Sequence, residues 1–176
     1  MISANVVSFN TNRGSVLRAE GIVEALAGKA GSSSILLLQE VGAWRSGSVS
    51  GRIVFTGENC PCAVVVPRAI ISIGVHFCSA TTVAVHVGDA AYLDAYLADK
   101  GKPLSDCLLA GRQLGLDIIK AKSVFNVSSV IIGLGTNVQL PANCGSCTGP
   151  ACISNGIGED EADRVLPLLR LLRHHG

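Results

Sequence analysis

Ser34-Ile35-Leu36-Leu37-Leu38-Gln39-Glu40 is the stretch that decides how this chain is read. Its apolar run is far short of the roughly 20 residues a bilayer span needs. A short, continuous apolar run instead fits an apolar strand. Ser34 to Leu38 is therefore read as a strand, and it delivers Gln39 and Glu40 at its end. Upstream, Asn5-Val6-Val7-Ser8-Phe9 reads as another short buried strand, followed by Asn10-Thr11-Asn12. Between the two, Ser15 is placed to cap a helix reaching about Ala27, with Val16, Leu17, Ile22, Val23 and Leu26 on its apolar face. Gly28 is placed to end that helix. Strand, helix, strand is a crossover unit, and crossovers join parallel neighbours. Parallel pairing would bring the Asn10 amide and the Glu40 carboxylate to one end of a sheet, where ligand sites of α/β folds gather.

Downstream the chain is rich in strands. Arg52–Phe55, Ala63–Val66, Ile70–Phe77, Thr81–Val87 and Ala91–Leu97 all read as strands, several of them separated by Gly, Pro or Asn, with Gly57-Glu58-Asn59 a turn. In Thr82 to Val87 the alternation puts Val83, Val85 and Val87 on one face. A helix is expected from Leu104 to Lys120, weakened by Gly111 and Gly115, and then a strand from Ser129 to Leu134. A loop rich in Gly, Pro and Cys runs from Gln139 to about Gly158. A last helix starts near Glu159, acidic at its beginning and basic at its end as the helix dipole favours, with Pro167 kinking it or marking its true start.

Length and composition bound the classes. The 176 residues suit one domain and a real core, since chains of this size bury roughly 70% of their unfolded surface. With 48% hydrophobic and 15% charged residues the chain is globular, not disordered. A net charge of +1 lends no support to a nucleic-acid partner, although a local basic stripe can hide in a neutral total. No basic segment followed by an apolar one opens the chain, and the 7 cysteines are an odd set. Free thiols in a reducing compartment follow, hence an intracellular protein, cytoplasmic or nuclear, with no membrane span. The sequon Asn126-Val127-Ser128 then reads as chance.

Oxygen ligands such as Asn10 and Glu40 suit Mg²⁺, which takes one or two carboxylates and keeps several waters. On their own these residues read first as a turn asparagine and a solvated glutamate, ahead of a metal site. Cys144-Gly145-Ser146-Cys147 with Cys152 would need a fourth ligand to hold zinc, and no histidine is near; Cys60 or Cys62 could supply one only through the fold. Gly133-Leu134-Gly135 is no dinucleotide loop, because Val138 takes the third glycine position and Pro141 interrupts the helix that should begin there. Lys100, Lys102, Arg112, Lys120 and Lys122 read as solvated charge ahead of phosphate contacts, and His174 and His175 as solvated helix-end residues.

Val7-Ser8-Phe9-Asn10-Thr11-Asn12 followed, one helix later, by Leu36-Leu37-Leu38-Gln39-Glu40 resembles the opening of the endonuclease/exonuclease/phosphatase family. That family includes exonuclease III-like enzymes and the endonuclease domains of LINE-type retrotransposons. Asp94-Ala95-Tyr96-Leu97-Ala98 falls where the family has a strand ending in a phosphate-contacting Tyr, and Val130 to Val138 where it has an apolar strand and then Gly-Asp-x-Asn. The resemblance runs from about Asn5 to about Pro141. It implies an α/β fold, a sandwich of two mixed β-sheets flanked by helices, incomplete at the C-terminal end, over a single domain of residues 1–176. It further implies metal-dependent phosphodiester hydrolysis with Mg²⁺ or Mn²⁺ and a DNA partner, no small-molecule cofactor, and a retrotransposon type of endonuclease. By the same resemblance Glu40 and Asn12 would bind the metal, Asn10 would orient the metal site and the attacking water, Tyr96 would hydrogen-bond the phosphate, and Asn137 would position the water.

The chain departs from the family pattern at Gly135, where the pattern has Asp, and ends without the closing Asp-His pair. Glycine cannot orient or deprotonate water, and such help is worth about 10²–10⁴-fold. The expectation is of weak or no activity unless another carboxylate, Asp94 or Asp99, serves as base. The rivals are a non-catalytic nucleic-acid or protein binding module on the same scaffold, a zinc-stabilised interaction domain, and, within the enzyme class, a phosphatase of small phosphate esters.

Overall fold

An apolar run with no polar alternation needs cover on both sides, and Ile35–Gln39 (β2) finds it, all five residues being buried. The structure, a computed structural model, describes residues 5–11, 16–70, 73–97 and 104–135. Val6–Asn10 (β1) runs parallel to β2 in the register Val6↔Ile35 to Asn10↔Gln39. The crossover between them is a helix, Val16–Ala30 (α1). On its other side β2 pairs antiparallel with Cys62–Pro67 (β5), which pairs with Arg52–Thr56 (β4), which pairs with Gly47–Val49 (β3). The first sheet therefore has the order β1-β2-β5-β4-β3.

The second sheet is β6-β7-β8-β9, made from Ile73–Cys78 (β6), Thr82–Val87 (β7), Ala90–Tyr96 (β8) and Ser129–Gly135 (β9). β8 and β9 are parallel, and the helix Leu104–Phe125 (α2) crosses between them. Both sheets are thus mixed, and they pack face to face. Ile35, Leu37, Phe55, Val64 and Val66 of the first meet Val83, Val85, Val87, Tyr92 and Tyr96 of the second. Ala19 and Val23 of α1 cover the opposite face of the first sheet over Leu36, Leu38, Val54 and Val65. Leu114, Ile118, Ala121 and Phe125 of α2 cover Ala84, Ala91, Leu93 and Ala95. The order of layers is helix, sheet, sheet, helix. No helix among the described residues is long and apolar enough to cross a membrane.

Several boundaries differ from those read in the sequence. α1 passes through Gly28 and stops at Gly31, whose φ of 98° and N–H to the Ala27 carbonyl (2.8 Å) make the left-handed cap. α2 runs past Lys120 to Phe125 because Ala121 and Phe125 continue the buried stripe of Leu114 and Ile118. Ile70 belongs to the turn after β5, its N–H donating to the Pro67 carbonyl (3.0 Å), and not to β6. β3 has no apolar signature; it exists because Ser50 and Gly51, at φ 48° and 72°, fold the chain back onto β4. The Cys-rich loop after Gln139 and the helix expected from Glu159 lie outside the described residues.

The glycines of β9 differ from those of α1 in what surrounds them. A β-carbon on Gly133 would stand 2.6 Å from Leu37 Cβ, and one on Gly28 would meet nothing within 4 Å. Gly133→Ala is expected to destabilise by about 1–3 kcal/mol, as overpacking does. Gly28→Ala, exposed in the last turn of α1, is expected to stabilise by up to about 0.5–1 kcal/mol. Urea denaturation checks the pair; equal and opposite signs from those stated would mean that the sheets do not approach as described.

Candidate functional site

Parallel pairing of β1 and β2 places their C-terminal ends side by side, and parallel pairing of β8 and β9 does the same in the second sheet. Glu40 follows β2 directly. Its carboxylate Oε1 accepts a hydrogen bond from Asn10 Nδ2 (2.9 Å) at the end of β1. The same oxygen accepts another from the Tyr96 hydroxyl (3.0 Å) at the end of β8. The two sheets thus meet at one carboxylate. These bonds use two of its roughly four lone-pair sites, which leaves capacity for a cation.

The backbone is bent to achieve this. In a regular strand Gln39 and Glu40 would face opposite sides. Glu40 has φ 55°, the left-handed region, which costs a residue with a side chain about 1–2 kcal/mol. That turn brings the Glu40 side chain back toward the second sheet, on the side Gln39 already faces. Thr11 holds the bend: its N–H donates to the Gln39 carbonyl (2.8 Å), and its hydroxyl donates to the Glu40 carbonyl (2.7 Å), with the Gln39 carbonyl at 3.1 Å.

Gln39, almost fully buried, forms the layer beneath. Its Nε2 donates into Asp94 Oδ1 on β8, with Ser8 Oγ and the Leu37 carbonyl each 3.1 Å away. Asp94 is fully buried, and its Oδ2 has no hydrogen-bond partner. Burial pushes the Asp94 carboxyl well above the usual carboxylate range, against the downward pull of the Gln39 hydrogen bond. Asp94 is therefore out of reach of an attacking water, and the idea that it serves as a solvent-side base is corrected by its burial. Burial likewise pushes the Cys62 thiol up, and Cys60 and Cys62 sit in the core between the sheets.

Gly135 stands beside Tyr96 in the β8–β9 register. A β-carbon there would fall 2.5 Å from Gln39 Cγ, 2.9 Å from Gln39 Cβ and 2.9 Å from Tyr96 Cδ2. The space an acidic side chain would start from is filled by Gln39.

Of the residues picked out in the sequence, Asn10, Glu40 and Tyr96 come together, while Asn12, Asn137, Asp99, Lys100, Lys102 and the cysteines from Cys144 to Cys152 lie outside the described residues. Lys120 is placed over the Phe77 ring, 4.5 Å from its centroid. Gln39 and Thr11 are members whose parts sequence reading does not assign, and it offers Asp94 only as a possible base; the available signal for the buried role of Asp94 is one acidic residue inside the apolar run Ala90 to Leu97. An open groove of about 1130 Å³ lies elsewhere, between the end of α1 and the turns after β3 and β5, and none of Asn10, Glu40 or Tyr96 lines it. Among the described residues no group of three or more His, Cys, Asp or Glu side chains could hold a metal ion. No protein-family model matches the chain, and a search of curated proteins finds none similar to it.

Two measurements address this geometry. Glu40→Gly relieves the left-handed backbone and Glu40→Ala does not, though both lose the same hydrogen bonds. Glu40→Gly is expected to be about 1 kcal/mol more stable than Glu40→Ala in urea, and equal stabilities would contradict the bend. For Asp94, the folded carboxyl keeps its proton above the pH at which the unfolded one, near 3.9, loses it. The unfolded state then binds fewer protons, so this group lowers stability as pH rises from about 4 toward its folded value, by up to about 1.4 kcal/mol per pH unit. Asp94→Asn removes that slope. Its stability relative to the native chain is expected to climb between pH 4 and 7; a flat difference would mean that Asp94 ionises freely.

Proposed function

We propose that the chain is a metal-dependent phosphodiesterase-type domain of the endonuclease/exonuclease/phosphatase kind, with a partly built site and weak or no turnover. One observation carries the reading: hydrogen bonds from strands of two different sheets converge on a single glutamate oxygen, at a residue held in a costly backbone conformation. Such conformations gather at functional sites. The layer order and the paired parallel strands are compatible with that fold family.

The donor set fits Mg²⁺ or Mn²⁺ better than zinc. A lone carboxylate suits a hard cation that keeps most of its waters, whereas a structural zinc site needs four protein ligands. Glu40 would hold the cation, with Asn12 as a second oxygen ligand; when bound, the cation supplies charge compensation for phosphate oxygens. Asn10 holds the Glu40 carboxylate from the β1 side, and the Tyr96 hydroxyl, now donated to Glu40, is the group that would turn to a phosphate oxygen of DNA. Asn137 would orient the attacking water. The general base is the missing part, because Gln39 occupies the ground beside Gly135. That same observation favours a second reading, a non-catalytic module that binds a divalent cation and nucleic acid on this scaffold.

The test couples Mn²⁺ titration with a plasmid-nicking assay on the native chain, Glu40→Ala and Gly135→Asp. Binding should be measurable for the native chain and weakened in Glu40→Ala by about tenfold or more. Nicking should be at most trace, and Gly135→Asp should lower stability without restoring it, since its β-carbon collides with Gln39. Strong native nicking that Glu40→Ala abolishes would overturn the assignment of Gly135 as the defect; no Mn²⁺ binding at all would overturn the metal site.

A further inference from the structure

A carboxyl in the middle of a sandwich core is expensive. Burying a polar atom without a partner costs about 1–3 kcal/mol, and Asp94 Oδ2 is such an atom. The residues on Asp94's own face of β8 (Tyr92 and Tyr96) and those across from them (Leu37 and Cys62) are buried in the inter-sheet core, so an apolar side chain at 94 would suit that core better. What Asp94 supplies instead is an acceptor reaching from the second sheet to Gln39 on the first.

That contact lies directly under the Glu40–Tyr96 contact. Along β8, Asp94 and Tyr96 are two residues apart and share a face. On the first sheet, Gln39 and Glu40 are adjacent and are brought to the same side by the Glu40 backbone bend. The two inter-sheet hydrogen bonds are thus successive rungs between the ends of β2 and β8, the inner one dry and the outer one half-exposed. If the inner rung is removed, the acceptors left to Gln39 Nε2 are Ser8 Oγ and the Leu37 carbonyl, both on the first sheet. The amide then has no reason to face β8. We infer that Asp94 is a positioning residue: by accepting the Gln39 amide across the inter-sheet core, it sets the separation of the β2 and β8 ends and keeps the Glu40 carboxylate within reach of the Tyr96 hydroxyl. Its role toward a bound cation rests on the metal reading above; its role toward the Glu40–Tyr96 hydrogen bond does not.

The chain has 2 tyrosines, Tyr92 and Tyr96, so ¹³Cζ-tyrosine NMR yields one signal for the hydrogen bond and one, from Tyr92, that monitors the core. Glu40→Ala marks the resonance of Tyr96 without the Glu40 acceptor. Asp94→Ala should move the Tyr96 signal most of the way to that position, and Asp94→Asn, which keeps an acceptor oxygen of the same shape, should leave it where the native chain has it. In Mn²⁺ titration Asp94→Ala should weaken binding about tenfold, and Asp94→Asn should stay within about twofold of the native chain. Rescue by Asn separates a hydrogen-bonding role from general loss of packing. Should Asp94→Ala fail to fold, Gln39→Leu breaks the same rung from the other strand and is judged by the same Tyr96 signal. A folded Asp94→Ala or Gln39→Leu with an unmoved Tyr96 resonance overturns the inference, as does an Asp94→Asn that shifts as far as Asp94→Ala. If the native chain binds no Mn²⁺, the metal reading falls alone, and the Tyr96 signal still decides the positioning role.

Discussion

Strand β2 has no face toward water, and most of the described structure follows from covering it. Its even positions, Leu36 and Leu38, lie under α1, and its odd positions, Ile35, Leu37 and Gln39, face the second sheet. Every one of its residues is at most 2% exposed. A strand buried in this way has its register fixed from both sides, because a slip by one residue would carry Gln39 under α1 and Leu38 against Asp94. The strand must end where the polar side chains begin, and it ends in the bend at Glu40. The position of the candidate site is set by where the apolar run stops.

That much is legible in the amino acids. Ile35-Leu36-Leu37-Leu38 announces a buried strand because alternation is absent, and the alternation in β7 announces that Val83, Val85 and Val87 share a face, which the inter-sheet core takes; that Thr82 and Ala84 on the other face are buried as well, Ala84 under α2, is not written in that pattern. Less legible are features decided by a single backbone angle. Gly28 and Gly31 look alike as helix stops, and only the choice of which adopts positive φ separates them. β3 depends on the Ser50-Gly51 turn and not on its own side chains. The end of α2 depends on Phe125 finding His86 and Phe77, contacts across long sequence separations.

The site divides in the same way. Asn10 and Glu40 can be placed together from the crossover unit, since strand ends in a parallel pair must coincide. Tyr96 comes from the second sheet, and periodicity alone does not say how two sheets are set against each other. Asp94 reads as a polar interruption of an apolar strand, and its meaning depends on the residue opposite it, Gln39, which sequence pattern cannot pair with it. Gly135 reads as an absent side chain. The structure adds that the ground is occupied, which is a different statement from its being empty.

An occupied space has consequences for how this chain can change. Position 135 accepts a larger residue only after the opposing side chain has shortened, while shortening Gln39 first leaves Asp94 without its donor. Neither step alone is neutral, and residues in contact do not contribute additively. The two positions therefore form a valley in the mutational landscape: single substitutions descend from either side, and a crossing requires both changes together.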